Sequence, residues 1–196
     1  MLKKILIIGD LFGFPKGYAA TNYVTLLAKG VLHHSIDVKV IVTTHTDYGH
    51  TPLNTQSKGV HEGIKFEYTT GSPSPHTPSR IWRTRIGSRI RHYFPIIRLL
   101  KCLIIARVKG GRHVLFYSRN YDLWKTLRKL TKHLGMKLIP ILVEWTPAIP
   151  NRDQLKVKKE LQFYEAAFKQ SDGIVLISDF LIEKMHSYIP YAREEF

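Results

Sequence analysis

KILIIGDLFGFPKGYAATN, residues 4–22, carries a short apolar run into a glycine-rich turn and then into a helical pattern. Strand, glycine turn and helix in this order create a place where main-chain N–H groups and a helix dipole can face an anion. Glycine removes the side chain that would block close approach. The glycines stand at positions 9, 13 and 17, which is not the G-x-G-x-x-G spacing, and no Gly-Lys-Ser/Thr follows them. On its residues alone the stretch reads equally as a phosphate cradle or as a structural turn.

Working outward, five further β-rich runs alternate with helical patterns: VKVIVT (38–43), IKFEYT (64–69), HVLFYS (113–118), KLIPIL (137–142) and GIVLIS (173–178). Such alternation predicts a parallel sheet, and the continuously apolar runs suit strands covered by helices on both faces. The expected fold is α/β, a Rossmann-like, doubly wound, mostly parallel sheet in a single domain. Three stripes at helical spacing supply the helices: Ala20, Tyr23, Val24, Leu27 and Val31; Leu123, Leu127, Leu130 and Leu134; Val157, Leu161, Tyr164 and Phe168. Asp172-Gly173 reads as the turn before the last strand, and Ser178-Asp179 as the cap of a final helix closed by Pro190. Residues 44–62 and 70–79, rich in turn formers, read as loops around the third strand.

Composition narrows the partners. The 196 residues hold 30 Lys+Arg against 15 Asp+Glu, a net charge of +15 that favours anionic partners: nucleic acid, phosphorylated substrates or acidic lipid. A lone cysteine, Cys102, excludes an internal disulfide framework and reads as a packed thiol in a reducing compartment. The ten histidines show no helical H-x-x-x-H pair, so no metal is expected. The opening MLKKILIIGD reads as a first strand, because its apolar run is short and lacks a small-residue cleavage pattern. The longest apolar window, PIIRLLKCLIIARV, is interrupted by Arg98, Lys101 and Arg107, which disfavours a membrane span.

The segment PKGYAATNYVTLLAKGVLHHSIDVKVIV resembles the opening of family 4 glycosyltransferases, with their Pro-x-Gly-small-small loop, first helix and Asp-Val-x-Val second strand. YSRN (117–120), ILVEWTP (141–147) and SDGIVLISDFLIEKM (171–185) match that family's amino-terminal half in order, with the likeness weakest over 44–112. The resemblance implies a GT-B enzyme, in which two Rossmann-like domains face each other across a cleft. Residues 1–196 would form the amino-terminal, acceptor-side domain. No E-x7-E donor motif is present, so the carboxy-terminal donor-binding domain is expected to be missing, and this portion alone to be inactive.

What the resemblance implies for function is a retaining, metal-independent transfer of a sugar from a nucleotide-sugar to a glycan or lipid-linked acceptor, in surface polysaccharide or glycoconjugate biosynthesis. No cofactor beyond the nucleotide-sugar donor is implied. It assigns Lys16, Gly17 and Tyr18 to the loop that approaches the donor phosphates. Acceptor contacts would come from Asn22, Arg119, Asn120 and Trp145. Glu144, at a strand's carboxyl edge where open α/β sheets bind ligands, is the candidate catalytic residue. It would contact an acceptor hydroxyl or support a positively charged transition state; equally, it could cap a loop or pair with Arg119. Many relatives carry a histidine near this point. Asn120 could equally cap the following helix, and Trp145 could be a buried aromatic beside Pro147.

Residues 79–112 hold ten Lys+Arg and no acidic residue. Gly87 and Pro95 are expected to divide this segment into two helical pieces. Basic and aromatic side chains together, here Arg80, Trp82, Arg83, Arg85, Arg89 and Arg91, suit an anionic membrane surface. The plainer reading is a sheet-covering helix with solvated arginines. The expected setting is cytoplasmic, peripheral on the inner face of the membrane. The competing function is a basic nucleic-acid-binding module without catalysis, supported by the charge but lacking a recognition motif. A nicotinamide oxidoreductase is disfavoured by the glycine spacing and by the lack of an acidic residue ending VKVIVTTHT.

Overall fold

A computed structural model of the chain describes residues 4–49, 52–75, 93–144, 146, 149 and 152–188, the last five by main chain only. Seven strands run in the order β3-β4-β2-β1-β5-β6-β7. They are β1 (Lys4–Gly9), β2 (Asp37–Val42), β3 (Lys58–His61), β4 (Ile64–Tyr68), β5 (His113–Tyr117), β6 (Lys137–Leu142) and β7 (Val175–Leu176). With β3 set aside, the chain order across the sheet is 3-2-1-4-5-6, that of doubly wound Rossmann-like folds. The helices are α1 (Ala19–His33), α2 (Phe94–Val108), α3 (Tyr121–His133), α4 (Gln154–Gln170) and α5 (Asp179–Tyr188). The chain divides into two compact units, Met1–Val114 and Leu115–Phe196.

In the first unit β1 pairs in parallel with β2, and β2 with β4. Leu6, Ile7, Ile8, Val38, Val40, Ile41 and Val42 are fully buried, which is why these runs carry no polar alternation. The strand β3 corrects the expectation of a continuous loop over 44–62. It pairs antiparallel with β4 through a two-residue turn in which Glu62 and Gly63 both have positive φ (49° and 80°). That backbone matches the twist of a tight hairpin, and an exposed four-residue edge strand needs no apolar run. On the sheet face carrying Lys39 and Glu67, Lys39 Nζ donates to Glu67 Oε2 at 2.5 Å and lies 3.5 Å from Cys102 Sγ. Burial raises the Cys102 thiol's pKa, as expected for a packed thiol.

In the second unit β6 pairs in parallel with β7, which keeps only Val175 and Leu176 of the expected 173–178 run. The Asp172-Gly173 turn forms as anticipated: Asp172 Oδ2 accepts from the Leu138 N–H and from Arg128. The core is aromatic, with Phe116, Trp124 and Phe163 mutually packed at ring separations of 5.6, 5.8 and 6.0 Å.

The expected stripes face inward, with Val24, Leu127 and Tyr164 buried and their other members half-buried, and further residues complete the buried faces. Thr21, Val24 and Ala28 are buried on α1, Trp124, Leu127 and Thr131 on α3, and Phe163, Tyr164, Ala166 and Ala167 on α4. Small alanines and threonines let the helix axis approach its neighbours, and the longer leucines flank that line. Pro95 opens α2, where its missing N–H costs nothing. The other half of the basic segment, divided at Gly87, lies outside the described residues, as does Pro190. Ser178 caps α5: its carbonyl accepts from the Leu181 N–H at 3.1 Å, and its hydroxyl lies 3.4 Å from the same nitrogen.

Candidate functional site

In the first unit the loop after β1 is shaped by partners far along the chain. The Phe14–Pro15 peptide is cis. Phe14 N–H donates to the Tyr68 hydroxyl at 2.8 Å, and that hydroxyl lies 3.1 Å from Thr46 Oγ1. The carboxamide of buried Asn54 grips both main-chain groups of Lys16, accepting from its N–H at 2.9 Å and donating to its carbonyl at 2.8 Å. Asn54 is itself held by its N–H donating to Asp47 Oδ2 at 2.9 Å. Burial raises the Tyr68 phenol's pKa, so it remains a neutral hydroxyl well into the alkaline range. The result is a fixed loop whose tip, Lys16-Gly17-Tyr18, is exposed; Tyr18 is 85% exposed.

Gly17 has a local reason to be glycine besides any ligand. A Cβ there would collide with the Thr21 hydroxyl, which donates to the Gly13 carbonyl at 2.7 Å. Absence of a side chain at 17 therefore closes the turn onto α1. The amino end of α1 has no side-chain cap and no acidic residue in its first turn, so its dipole faces outward beside Lys16. Asn22 is exposed on that first turn, its N–H donating to the Tyr18 carbonyl at 3.2 Å.

In the second unit Arg119 and Glu144 follow β5 and β6 and meet: Arg119 Nη1 donates to Glu144 Oε1 at 2.7 Å. Of the alternatives open for Glu144, the pairing with Arg119 is therefore present. The carboxylate is about half exposed, and an ion pair of that exposure contributes only ~0–1 kcal/mol. Asn120 is the cap of α3, its Oδ1 accepting from the N–H groups of Asp122 and Leu123, both at 3.1 Å. Its carboxamide oxygen is thus committed to the helix.

Behind Glu144 lies a set of residues that sequence reasoning did not pick out for the site. Tyr164 OH donates to the Glu144 carbonyl at 2.9 Å. Thr146 Oγ1 donates to Glu160 Oε2 at 2.7 Å, and Arg152 forks onto Glu160 at 2.6 and 2.7 Å while also donating to the Thr146 carbonyl at 3.0 Å. Burial alone would raise the Glu160 carboxyl's pKa, but the hydrogen bonds from Arg152 and Thr146 outweigh it and lower it. The signal available was Glu160 and Tyr164 four apart on one helix face; Tyr164 was read instead as part of an apolar stripe. Nothing in the sequence around Asn54 marks it as the clamp on Lys16.

Trp145, Arg80, Trp82, Arg83, Arg85, Arg89 and Arg91 lie outside the described residues. Among the described residues no group of three or more His, Cys, Asp or Glu is placed to hold a metal, and no helix is long and apolar enough to cross a membrane. Chemically, the loop of the first unit offers a cation and main-chain N–H groups to an anion. The Arg119–Glu144 pair offers a carboxylate acceptor for hydroxyls and a guanidinium suited to phosphate or carboxylate. No protein-family model matches the chain, and no curated protein matches it in sequence.

Proposed function

We propose that this chain forms the acceptor-side domain of a retaining, metal-independent glycosyltransferase that uses a nucleotide-sugar donor and a glycan or lipid-linked acceptor. The observation that carries the reading is the loop Asp10–Tyr18. It is clamped by Asn54 and Tyr68 so that Lys16-Gly17-Tyr18 stands exposed at the uncapped amino end of α1. A fixed loop of this kind can meet a departing diphosphate with a cation and oriented dipoles without reorganising when charge develops. Glu144 supports the acceptor hydroxyl or the positively charged sugar, and Arg119 holds the carboxylate in place. The alternative of a basic nucleic-acid-binding module rests on the net charge and on aromatic residues near arginines in the sequence.

The reading is tested by release of nucleoside diphosphate from a panel of nucleotide-sugars. Residues 1–196 alone are expected to show no turnover, and the same chain joined to a matching donor-binding domain is expected to show it. Robust transfer by residues 1–196 alone would contradict the requirement for a second domain. Lack of turnover in every joined form, with both domains folded, would count against a transferase.

A further inference from the structure

The helix α2 is apolar on both sides. Leu99, Cys102, Leu103 and Ala106 are buried. The opposite face, at spacings of seven and eleven residues, carries Ile97, Ile104 and Val108, which are 58%, 43% and 80% exposed, with Ile105 (43%) alongside. A sheet-covering helix ordinarily turns charged side chains to water, so an outward row of isoleucine and valine is not the solvated face that the plainer reading anticipated. The only cation within that row is Lys101, which is exposed. Arg98 and Arg107 lie on its flanks, exposed Lys109 and Arg112 follow its carboxyl end, and Tyr93, 65% exposed, stands at its amino end.

From this face we infer that α2 docks the protein on an anionic bilayer, lying flat with Ile97, Ile104, Ile105 and Val108 in the headgroup boundary and the exposed cations Lys101, Lys109 and Arg112 on lipid phosphates. Three observations select this occupant. The face is ringed by cations, and no acidic residue occurs anywhere in 79–112, so the charge complement is an anionic surface. A second copy of the chain, itself carrying +15, would bring like charges together around the same apolar row. A nucleic acid would meet the cations but would leave the isoleucines facing a phosphate backbone. The 15-residue helix, about 22 Å long, is too short to span a bilayer and suits an interfacial position. The inference needs no sugar donor, so it stands or falls separately from the transferase reading.

The test is co-sedimentation of the full chain with vesicles of phosphatidylcholine alone or with about one-third phosphatidylglycerol, which gives the surface a negative potential. Binding is expected to the anionic vesicles, at least tenfold tighter than to neutral ones and weakened by salt. The triple substitution Ile97→Asn, Ile104→Asn, Val108→Asn should weaken it at least tenfold. Lys101→Glu, which leaves every apolar residue in place and so does not depend on the triple variant folding, should weaken it about fivefold or more. Ile104→Trp should add a tryptophan emission that shifts to the blue on anionic vesicles. The inference is overturned by absent vesicle binding, by equal binding to both compositions, or by unchanged binding of a folded triple variant or of Lys101→Glu. It is equally overturned if the outward face instead supports dimers that the triple variant abolishes, or if only oligonucleotides bind.

Discussion

Of the strand-to-helix loops that carry candidate site residues, those after β1 and β6 are secured by different physics. The loop after β1 is held across 38 and 54 positions of sequence by an amide and a phenol, Asn54 and Tyr68. The loop after β6 is held by the helix that immediately follows it, through an ionised pair and its neighbours, Arg152, Glu160, Thr146 and Tyr164. The first exists only once β4 and the segment carrying Asn54 have assembled around it. The second is organised by local chain and depends on a carboxylate keeping its charge.

Removing either clamp separates them. Asn54→Ala takes away both hydrogen bonds to Lys16 from a buried position and should cost about 3 kcal/mol by urea unfolding. Hydrogen exchange at the Lys16 and Gly17 amides should rise while the Thr146 amide keeps its protection. Equal loss of protection in both loops would mean that they are not independently secured.

Glu160→Gln should cost roughly 2 kcal/mol at neutral pH, because one partner of a largely covered, multiply bonded pair loses its charge. Glu160 has a folded pKa below its ordinary value, so its contribution is present at neutral pH and is lost as pH falls through that lowered folded value. The variant should therefore show a shallower loss of stability on acidification. It should not abolish the loss, because Asp37 and Glu67 have carboxyls lowered in the same direction: burial alone would raise them, and Lys4 with Lys65, or Lys39, outweighs it.

A smaller effect probes the turn itself. Gly17→Ala should destabilise by about 1–2 kcal/mol as its Cβ displaces the Thr21 hydroxyl, and Thr21→Ala in the same chain should recover part of that loss. Strict additivity of the two substitutions would show that the collision is not what requires glycine. Smallest of all, Arg119→Ala should change stability by less than about 0.5 kcal/mol, as befits a half-exposed ion pair.

The same contrast explains what the sequence made legible. Apolar runs marked β1, β2, β5 and β6, where burial on both faces leaves a one-dimensional record, and alternation marked β4, whose Ile64, Phe66 and Tyr68 are buried. KGVH did not announce β3, since an edge strand formed by a Glu-Gly turn takes its order from its partner. Helix existence was readable from spacing, and so was the inward side: Val24, Leu127 and Tyr164 of the expected stripes are buried and their other members half-buried. What the spacing does not mark is the small or aromatic residue beside each stripe, Ala28, Trp124 and Thr131, which is also buried. At the site, Arg119 with Glu144 was an anticipated pairing, and Asn120 as a cap was one of two stated readings. Asn54 and Thr146 were invisible because their roles are hydrogen bonds, to the Lys16 main chain and to the Glu160 carboxylate, that only the assembled fold brings within reach.

The central claim, that the clamped loop after β1 faces a donor diphosphate, is most directly tested by amide chemical shifts of the 15N-labelled chain during titration with nucleoside diphosphates. Weak binding is expected, about millimolar, because one short loop supplies few contacts to the ligand. Its shifts should be concentrated at Gly17, Tyr18, Ala19 and Ala20 and weakened several-fold by Lys16→Ala. Shifts confined to other regions, or a titration in which these four amides do not move, would contradict it.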